Sequence, residues 1–396
     1  MLLSYSTLGV NLKFTVLCSE AKTLSSFSLG FLGAMEPEIT TLGSSIPVPC
    51  VQELAKETTS TVPPRYVRFT NEPPIISDTT SLPQVPVIDM QRLFSAEFMD
   101  TELEKLHYAS KEWGFFQLIN HGVSISLVEK VKVGIQELFN LPMEEKKKLW
   151  QLPGDLEGFG QAFVVSEEQK LDWGDMFYMI TRPIHLRKPH LFPKLPLPFK
   201  DNLDAYSTEL KDLAMKIIEL MAKALRMELN DMRSLFEEGF QAMRMNYYPP
   251  CPQPELAIGL NAHSDGVALT ILLQVNEMEG LQIRKDGRWI SVKPLPNAFI
   301  VNIGDILEIV TNGIYRSIEH RATVNSAKER LSVATFYSPS LEADMGPAPS
   351  LITPESPALF KRIGVADYFR GYLSRELNGK TYIDGMRIQN EEQKGT

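Results

Sequence analysis

A chain of 396 residues with 43% hydrophobic and 22% charged side chains has the composition of a folded globular protein, not of a disordered or fibrous one. A formal net charge of −9 and the absence of any basic stripe argue against binding to a nucleic-acid backbone. Cys18, Cys50 and Cys251 form no CxxC pair, which excludes a disulfide framework or zinc ribbon and fits a reducing compartment, and no apolar run is long enough to span a bilayer.

Residues 1–34 are rich in Ser, Leu and Phe with one acid, Glu20, and Met35 opens a more usual start, MEPEITTLG. Three readings compete: a plastid or mitochondrial transit segment, a weak secretory signal, or an upstream extension. The segment lacks arginine, against a transit peptide, and Asn11 and Lys13 interrupt the apolar stretch that a secretory signal needs. The extension is preferred, which makes the protein cytoplasmic; a transit segment would send it to the plastid. Residues 35–84 form a Pro-, Thr- and Ser-rich arm with a short helix near VQELAKE.

Residues 85–200 read as an α/β region. VPVIDM (85–90) predicts a strand, TELEKLHYASKEW (101–113) an amphipathic helix, FFQLIN (115–120) a second strand, and SLVEKVKVGIQELFNL (126–141) a helix stopped by Pro142. EEKKKL (144–149) reads as a solvated helix face, and 151–200, with its glycines and prolines, as loop with short strands. A long supporting helix is expected over 201–235, with Leu203, Tyr206, Leu210, Leu213, Ile217 and Met221 on its core face. From about 238 to 340 the apolar period drops to two in AMRMNYY, ALTILLQ, LQIRKDG with RWISVKP, AFIVNIG, IYRSIEHRATVN and RLSVATFYSP. Short strands with no intervening helices predict an antiparallel barrel or sandwich such as a jelly roll. PALFKRIGVADYFRGYLSREL (357–377) predicts a last helix within a C-terminal region, 341–396. The fold class is mixed α/β, mainly β.

The stretch NAHSDG (261–266) places ligating side chains in an otherwise apolar run. At i and i+2 of a strand, His263 and Asp265 share a face, with Ser264 turned away. Of the other histidines, His107 lies on a helix, His121 at a tight turn, and His185 and His190 in a proline-rich loop. His320, in the alternating strand YRSIEHRATV, is the best third ligand. Two histidines and a carboxylate form a facial triad with three octahedral positions open, which suits ferrous iron that binds a cosubstrate and oxygen. For each histidine alone, the plainer reading is a hydrogen-bonded core or surface residue; the pair and the second strand together weigh against it. In ERLSVATF (329–336), Arg330 and Ser332 share a face that carries no acid. An incoming dicarboxylate would satisfy the guanidinium bidentately, with a hydrogen bond from Ser332. The plainer reading is a rim arginine paired with a distant glutamate.

These motifs carry a resemblance. The chain resembles the plant Fe(II)- and 2-oxoglutarate-dependent dioxygenases through HSD (263–265), His320 in SIEHR, RLS (330–332), NYYPPCPQPE (246–255) and WGFFQLINHGV (113–123), over about residues 45–390. Within them it is similar to the senescence-related and codeine O-demethylase-like branch, through EGFGQAFVVSEEQKLDWGDMF (157–177) and LLQVNEMEGLQIRKDGRW (272–289). Ser264 stands where many members carry Thr. The resemblance implies a double-stranded β-helix core with an N-terminal α/β layer. It implies Tyr248 and Asn246 as 2-oxoglutarate contacts, Phe336 facing the organic substrate, and a structural role for His121. Phe159, Phe163 and Tyr368 are candidates to line the substrate pocket, with ordinary core packing as the plainer reading.

The expected cofactors are Fe(II), 2-oxoglutarate and O2, with ascorbate as reductant. The expected reaction is hydroxylation or O-demethylation of a small plant specialised metabolite or hormone-like molecule, giving succinate and CO2. A monomer acting on a small molecule is expected, with no nucleic-acid or membrane partner. Two alternatives stay open: a 2-oxoglutarate-independent iron oxidase, and a catalytically silent small-molecule-binding barrel. A zinc hydrolase lacks a general base beside the triad.

Overall fold

The computed structural model describes residues 45–57, 61–68 and 84–389; the expectations for residues 1–34, for Cys18 and for much of the arm lie outside the described residues. Helix α1 (Val51–Leu54) starts where the buried Asp175 carboxylate accepts N–H bonds from Val51 (2.9 Å) and Gln52 (2.7 Å). β1 (Val87–Asp89) turns into α2 (Met90–Leu93), with Asp89 accepting the Gln91 N–H as a cap. α3 (Met99–Tyr108) continues through a π turn to Trp113 and stops at Gly114, φ +60°, where a Cβ would meet the Arg316 carbonyl oxygen at 2.2 Å. β2 (Phe115–Ile119) and α4 (Ile125–Asn140), capped by Ser124, follow. In α5 (Met143–Lys147), Lys147 pairs with Glu144, and Lys148 beyond it with Glu145, at the surface. Lys146 instead turns inward to the Gln52 side chain, so the expected solvated face holds for two lysines of the three.

β3 (Gly158–Gly160) precedes an eight-residue strand, β4 (Asp175–Arg182), inside the stretch expected to be mostly loop. Met176, Phe177, Met179 and Ile180 are all buried; covered on both faces, β4 shows no alternation to read. The expected single helix over 201–235 is two, α6 (Phe199–Leu225) and α7 (Leu229–Phe236), because Arg226 takes a left-handed conformation, φ +54°, between them. β5 (Phe240–Tyr248), β6 (Leu260–His263), β7 (Leu269–Gln274), β8 (Leu281–Lys285), β9 (Arg288–Ser291) and β10 (Phe299–Ile303) follow. A buried helix, α8 (Asp305–Val310), interrupts the run of strands expected to be helix-free. β11 (His320–Ala322) and β12 (Arg330–Ser338) complete the strand run. β13 (Asp344–Met345) pairs with β14 (Ile363–Gly364), so the helix expected from 357 begins only at α9 (Val365–Leu373); α10 (Thr381–Met386) follows.

The strands form an eight-stranded sheet, β1-β2-β10-β7-β12-β5-β4-β3, and a four-stranded sheet, β6-β11-β8-β9, antiparallel throughout except for β1–β2. This is the jelly-roll architecture. On β12, Leu331, Val333 and Tyr337 enter the main core with Leu203, Leu210, Ile217 and Met221 of α6. Each such fully buried aliphatic side chain stabilises the fold by about 1.5–3 kcal/mol. The alternate residues Arg330, Ser332, Ala334 and Phe336 face a cavity that the smaller sheet also lines, through Leu260, His263, Leu281 and His320. One face of the large sheet thus holds the molecule together while the other builds a site.

Candidate metal centre

β6 ends on His263 and β11 begins on His320, and antiparallel pairing sets the two opposite each other with ring centroids 4.3 Å apart. Asp265 lies just past the end of β6, so strand alternation does not orient it. Two hydrogen bonds do: Thr270 Oγ1 (2.6 Å) and Asn302 Nδ2 (2.8 Å) both donate to Oδ2. Oδ1 is left facing His263 Nε2 at 3.4 Å and His320 Nε2 at 3.6 Å. One donor atom from each residue lies within 4.8 Å of the others, and among the described residues this is the one cluster of three such groups.

The tautomers follow from the partners. His263 Nδ1 is 2.7 Å from the Asn261 carbonyl and His320 Nδ1 is 3.1 Å from the Ile318 carbonyl. A carbonyl only accepts, so each Nδ1 carries the proton and each Nε2 presents its lone pair to the cluster. Burial, reinforced by the His263 ring, lowers the His320 pKa to about 4, so its imidazole is neutral at pH 7. Burial pushes the Asp265 carboxyl upward, but His320, His263 and the Thr270 hydroxyl outweigh it and hold the group below the usual carboxylate range. Two imidazole nitrogens and one carboxylate oxygen on one side of an open cavity fit a divalent first-row metal, with Fe(II) the usual occupant of that donor set.

Further into the cavity, Arg330, Ser332, Tyr248 and Asn246 come together because β12 and β5 pair Arg330 with Tyr248 and Ser332 with Asn246. Arg330 is 2% exposed; its guanidinium reaches Ser332 Oγ (3.5 Å) and Gln274 Oε1 (3.4 Å) and lies 5.4 Å from the Tyr248 ring centroid, and its Nε has no hydrogen-bond partner. No acidic side chain pairs with it among the described residues, and burial lowers its pKa, with Tyr248 opposing. Asn246 Oδ1 is also buried without a partner. A buried cation with no anion is costly, so this corner is built to receive a negative group from outside.

Of the residues proposed for the substrate side, Phe336 and Phe163 line the cavity. Phe159 does not: strand pairing sets it against Phe177, and both turn with Phe139 into the helix-side core. Tyr368 is fully buried in the same core; on α9 the cavity face is instead Phe369, Tyr372 and Leu373, at helical spacing of three and four. His121 accepts the Val123 N–H at 3.1 Å and meets the Asn297 carbonyl, a local structural role. The sequence reading missed Thr270 and Asn302; each is a polar residue in an apolar strand, which calls for a partner. It also missed the Tyr372 hydroxyl, which donates to the Ser264 carbonyl at 3.1 Å and pins α9 over the loop between His263 and Asp265. No local signal announces that contact, 108 residues apart in sequence.

The chain matches the 2OG-Fe(II) oxygenase superfamily over residues 239–339, and the N-terminal region of the non-haem dioxygenase in morphine synthesis over residues 85–195. It is 59% identical over 356 residues, 89% of this chain and 94% of the relative, to oxoglutarate-dependent flavonoid 7-O-demethylase 1 of Ocimum basilicum. It is 56% identical over 358 residues, 89% of this chain and 99% of the relative, to codeine O-demethylase of Papaver somniferum. The crystal structure of JOX2 in complex with 2OG, Fe, and JA superposes with a TM-score of 0.79 at 34% identity, covering 87% of this chain and 99% of that one. Fold, site and relatives agree: the chain belongs to the 2OG-Fe(II) oxygenase superfamily.

Proposed function

We propose that the chain uses 2-oxoglutarate, O2 and Fe(II) to hydroxylate or O-demethylate a small plant specialised metabolite or hormone-like molecule, with iron held by His263, Asp265 and His320. The observation that carries this reading is the presence, in one cavity, of three converging metal donors and a buried guanidinium with no acidic partner. A 2-oxoglutarate-independent oxidase would leave Arg330 buried without an anion. The relatives named as O-demethylases support the reaction class.

When bound, ferrous iron supplies oxygen activation coupled to the oxidative decarboxylation of 2-oxoglutarate. The residues do the rest. Arg330 offers two parallel N–H donors to the distal carboxylate, flanked by the Ser332 and Tyr248 hydroxyls and the Asn246 amide. Thr270 and Asn302 hold Asp265 Oδ2, which keeps Oδ1 turned toward the two imidazoles. Leu272 and Phe336 keep the neighbouring space apolar. The C–H bond held nearest the centre is the one oxidised, so positioning decides the outcome. Hydroxylation consumes one O2 and one 2-oxoglutarate per C–H oxidised and yields succinate and CO2. When the oxidised carbon is an O-methyl group, the same stoichiometry yields a phenol and formaldehyde.

The cavity is complete within one chain, which supports a monomer acting on a small molecule. The free thiols of Cys50 and Cys251 support a cytosolic location, and no described helix is long and apolar enough to cross a membrane. The test is a panel of methoxylated plant aromatics incubated with protein, Fe(II), ascorbate, 2-oxoglutarate and air, reading succinate and formaldehyde together. Equal yields identify O-demethylation and succinate alone identifies hydroxylation. Substrate loss without succinate contradicts the reading.

A further inference from the structure

Helix α8, which interrupts the run of strands, carries two buried acids three residues apart, Asp305 and Glu308. Residues at that spacing share a helix face. Asp305 meets the segment that carries two of the metal donors. Ser264 Oγ donates to Asp305 Oδ2 at 3.1 Å, and the Asp305 N–H donates to the Asp265 carbonyl at 2.7 Å. Glu308 meets the C-terminal region instead. Lys380 Nζ donates to its Oε2 at 2.7 Å and Arg387 to its Oε1 at 2.8 Å.

Lys380 ends a short strap, residues 377–380, that runs along β6, the outermost strand of the smaller sheet. Gly379 bridges to His263 in parallel: its N–H donates to the Ala262 carbonyl at 3.0 Å, and its carbonyl accepts the Ser264 N–H at 3.2 Å. The Leu377 carbonyl accepts from Asn261 Nδ2 at 2.8 Å. Beyond Glu308, Lys380 Nζ also donates to the Ser317 carbonyl, and the Ser317 N–H donates to Glu308 Oε2 at 2.8 Å. These contacts fall on the residues that aim the two imidazoles. His263 Nδ1 is held by the Asn261 carbonyl, and His320 Nδ1 by the carbonyl of Ile318, the residue after Ser317. Lys380 therefore ties α8, the edge of β6 and the lead-in to β11 to one another.

An outermost strand presents unpaired N–H and C=O groups and frays more readily than a paired one. Metal affinity depends on the hydrogen bonds that orient the ligands. A buried ion pair contributes little net stability and is suited to fixing one arrangement of the elements it joins. We infer that Lys380 is a positioning residue for the metal centre: anchored to Glu308 and Ser317, it holds residues 377–380 against β6 and so fixes both imidazoles for the ion. The inference rests on the oxygenase reading and adds to it the device that holds the ligands in place.

The test is Co(II) binding by the full chain, read by chelator competition and by the visible absorption of the bound ion. Hydrogen exchange over residues 260–266 of the metal-free protein accompanies it. K380M should weaken Co(II) binding about tenfold, shift the visible bands and speed exchange at the Ser264 amide; K380R should restore most of the affinity. R387M is the control, because it also takes a cation from Glu308 but lies beyond the strap. It should lower the melting temperature and leave Co(II) affinity unchanged. N261L cuts the bond to the Leu377 carbonyl and spares the ion pair. It should weaken Co(II) binding in the same direction, and it decides the matter if K380M does not fold. Wild-type affinity and unshifted bands in K380M, or in N261L where K380M does not fold, overturn the inference. So does an R387M that weakens Co(II) as much as K380M, since charge balance at Glu308 would then be the cause. Wild type that binds no Co(II) overturns the metal assignment and the inference with it, an outcome distinct from the other two.

Discussion

Replacing Arg330 with Met separates binding from folding. The side-chain stem is tightly packed: a Cβ added at Gly280 would lie 2.8 Å from Arg330 Cδ, so Met preserves most of the packing and removes only the charge. No carboxylate pairs with the guanidinium among the described residues, so the substitution strands no buried anion. Removing a desolvated, unpaired ion is neutral or stabilising for a fold, and the melting temperature of Arg330→Met should hold or rise. Binding of 2-oxoglutarate should suffer. Two charge-assisted N–H···O bonds at about 1.5 kcal/mol each amount to roughly 3 kcal/mol, or about a hundredfold in Kd. The assay is anaerobic titration of the iron-loaded variant with 2-oxoglutarate alongside thermal melting; iron affinity should be little changed. A melting temperature lowered by several degrees with an unaltered 2-oxoglutarate Kd would refute the reasoning, because Arg330 would then serve the fold and not the cosubstrate.

His263→Ala or Asp265→Ala should abolish stoichiometric iron binding, read by metal analysis after gel filtration, and with it all succinate release; full activity in either would remove the metal assignment. Thr270→Val keeps the side-chain shape but deletes the 2.6 Å bond to Asp265 Oδ2; metal affinity should fall about tenfold or more, and an unchanged affinity would show that Asn302 alone orients the carboxylate. Glu157 gives a pH test. Burial raises its carboxyl from 4.5 to about 7, so the folded state binds more protons than the unfolded state between those values and stability drains away as pH rises through that window. Glu157→Gln should therefore stabilise the protein more at pH 8 than at pH 5, by at most roughly 3 kcal/mol. Melting curves at the two pH values check this, and an equal effect at both would contradict the burial argument.

Part of the architecture is readable from residue pattern because β12 carries polar or small side chains at alternate positions toward the cavity. In RLSVATF the alternation of Arg330, Ser332 and Ala334 with Leu331 and Val333 separates cavity from core, and β12 follows it. The reading fails where both faces of an element are buried. β4 has apolar partners on each side, and α8 is buried at all six positions, so neither shows a period. It also fails where a single backbone conformation decides, as at Arg226 between α6 and α7.

At the site, His263, Asp265 and His320 meet as their spacing suggested, but Asp265 is brought there by Thr270 and Asn302 from other strands and not by its own strand's alternation. Aromatic residues gave the least reliable guide. Phe159 and Tyr368 carry the same chemistry as Phe163 and Phe369, and only the tertiary direction of β3 and α9 tells core from cavity.

The most direct test is a crystal structure of the protein grown anaerobically with Fe(II) and 2-oxoglutarate, with the ion located by anomalous scattering at the iron edge. The account predicts one iron bounded by Nε2 of His263, Nε2 of His320 and Oδ1 of Asp265, and the distal carboxylate of 2-oxoglutarate against the Arg330 guanidinium. Iron held by any other set of side chains, or 2-oxoglutarate bound away from Arg330, would contradict it.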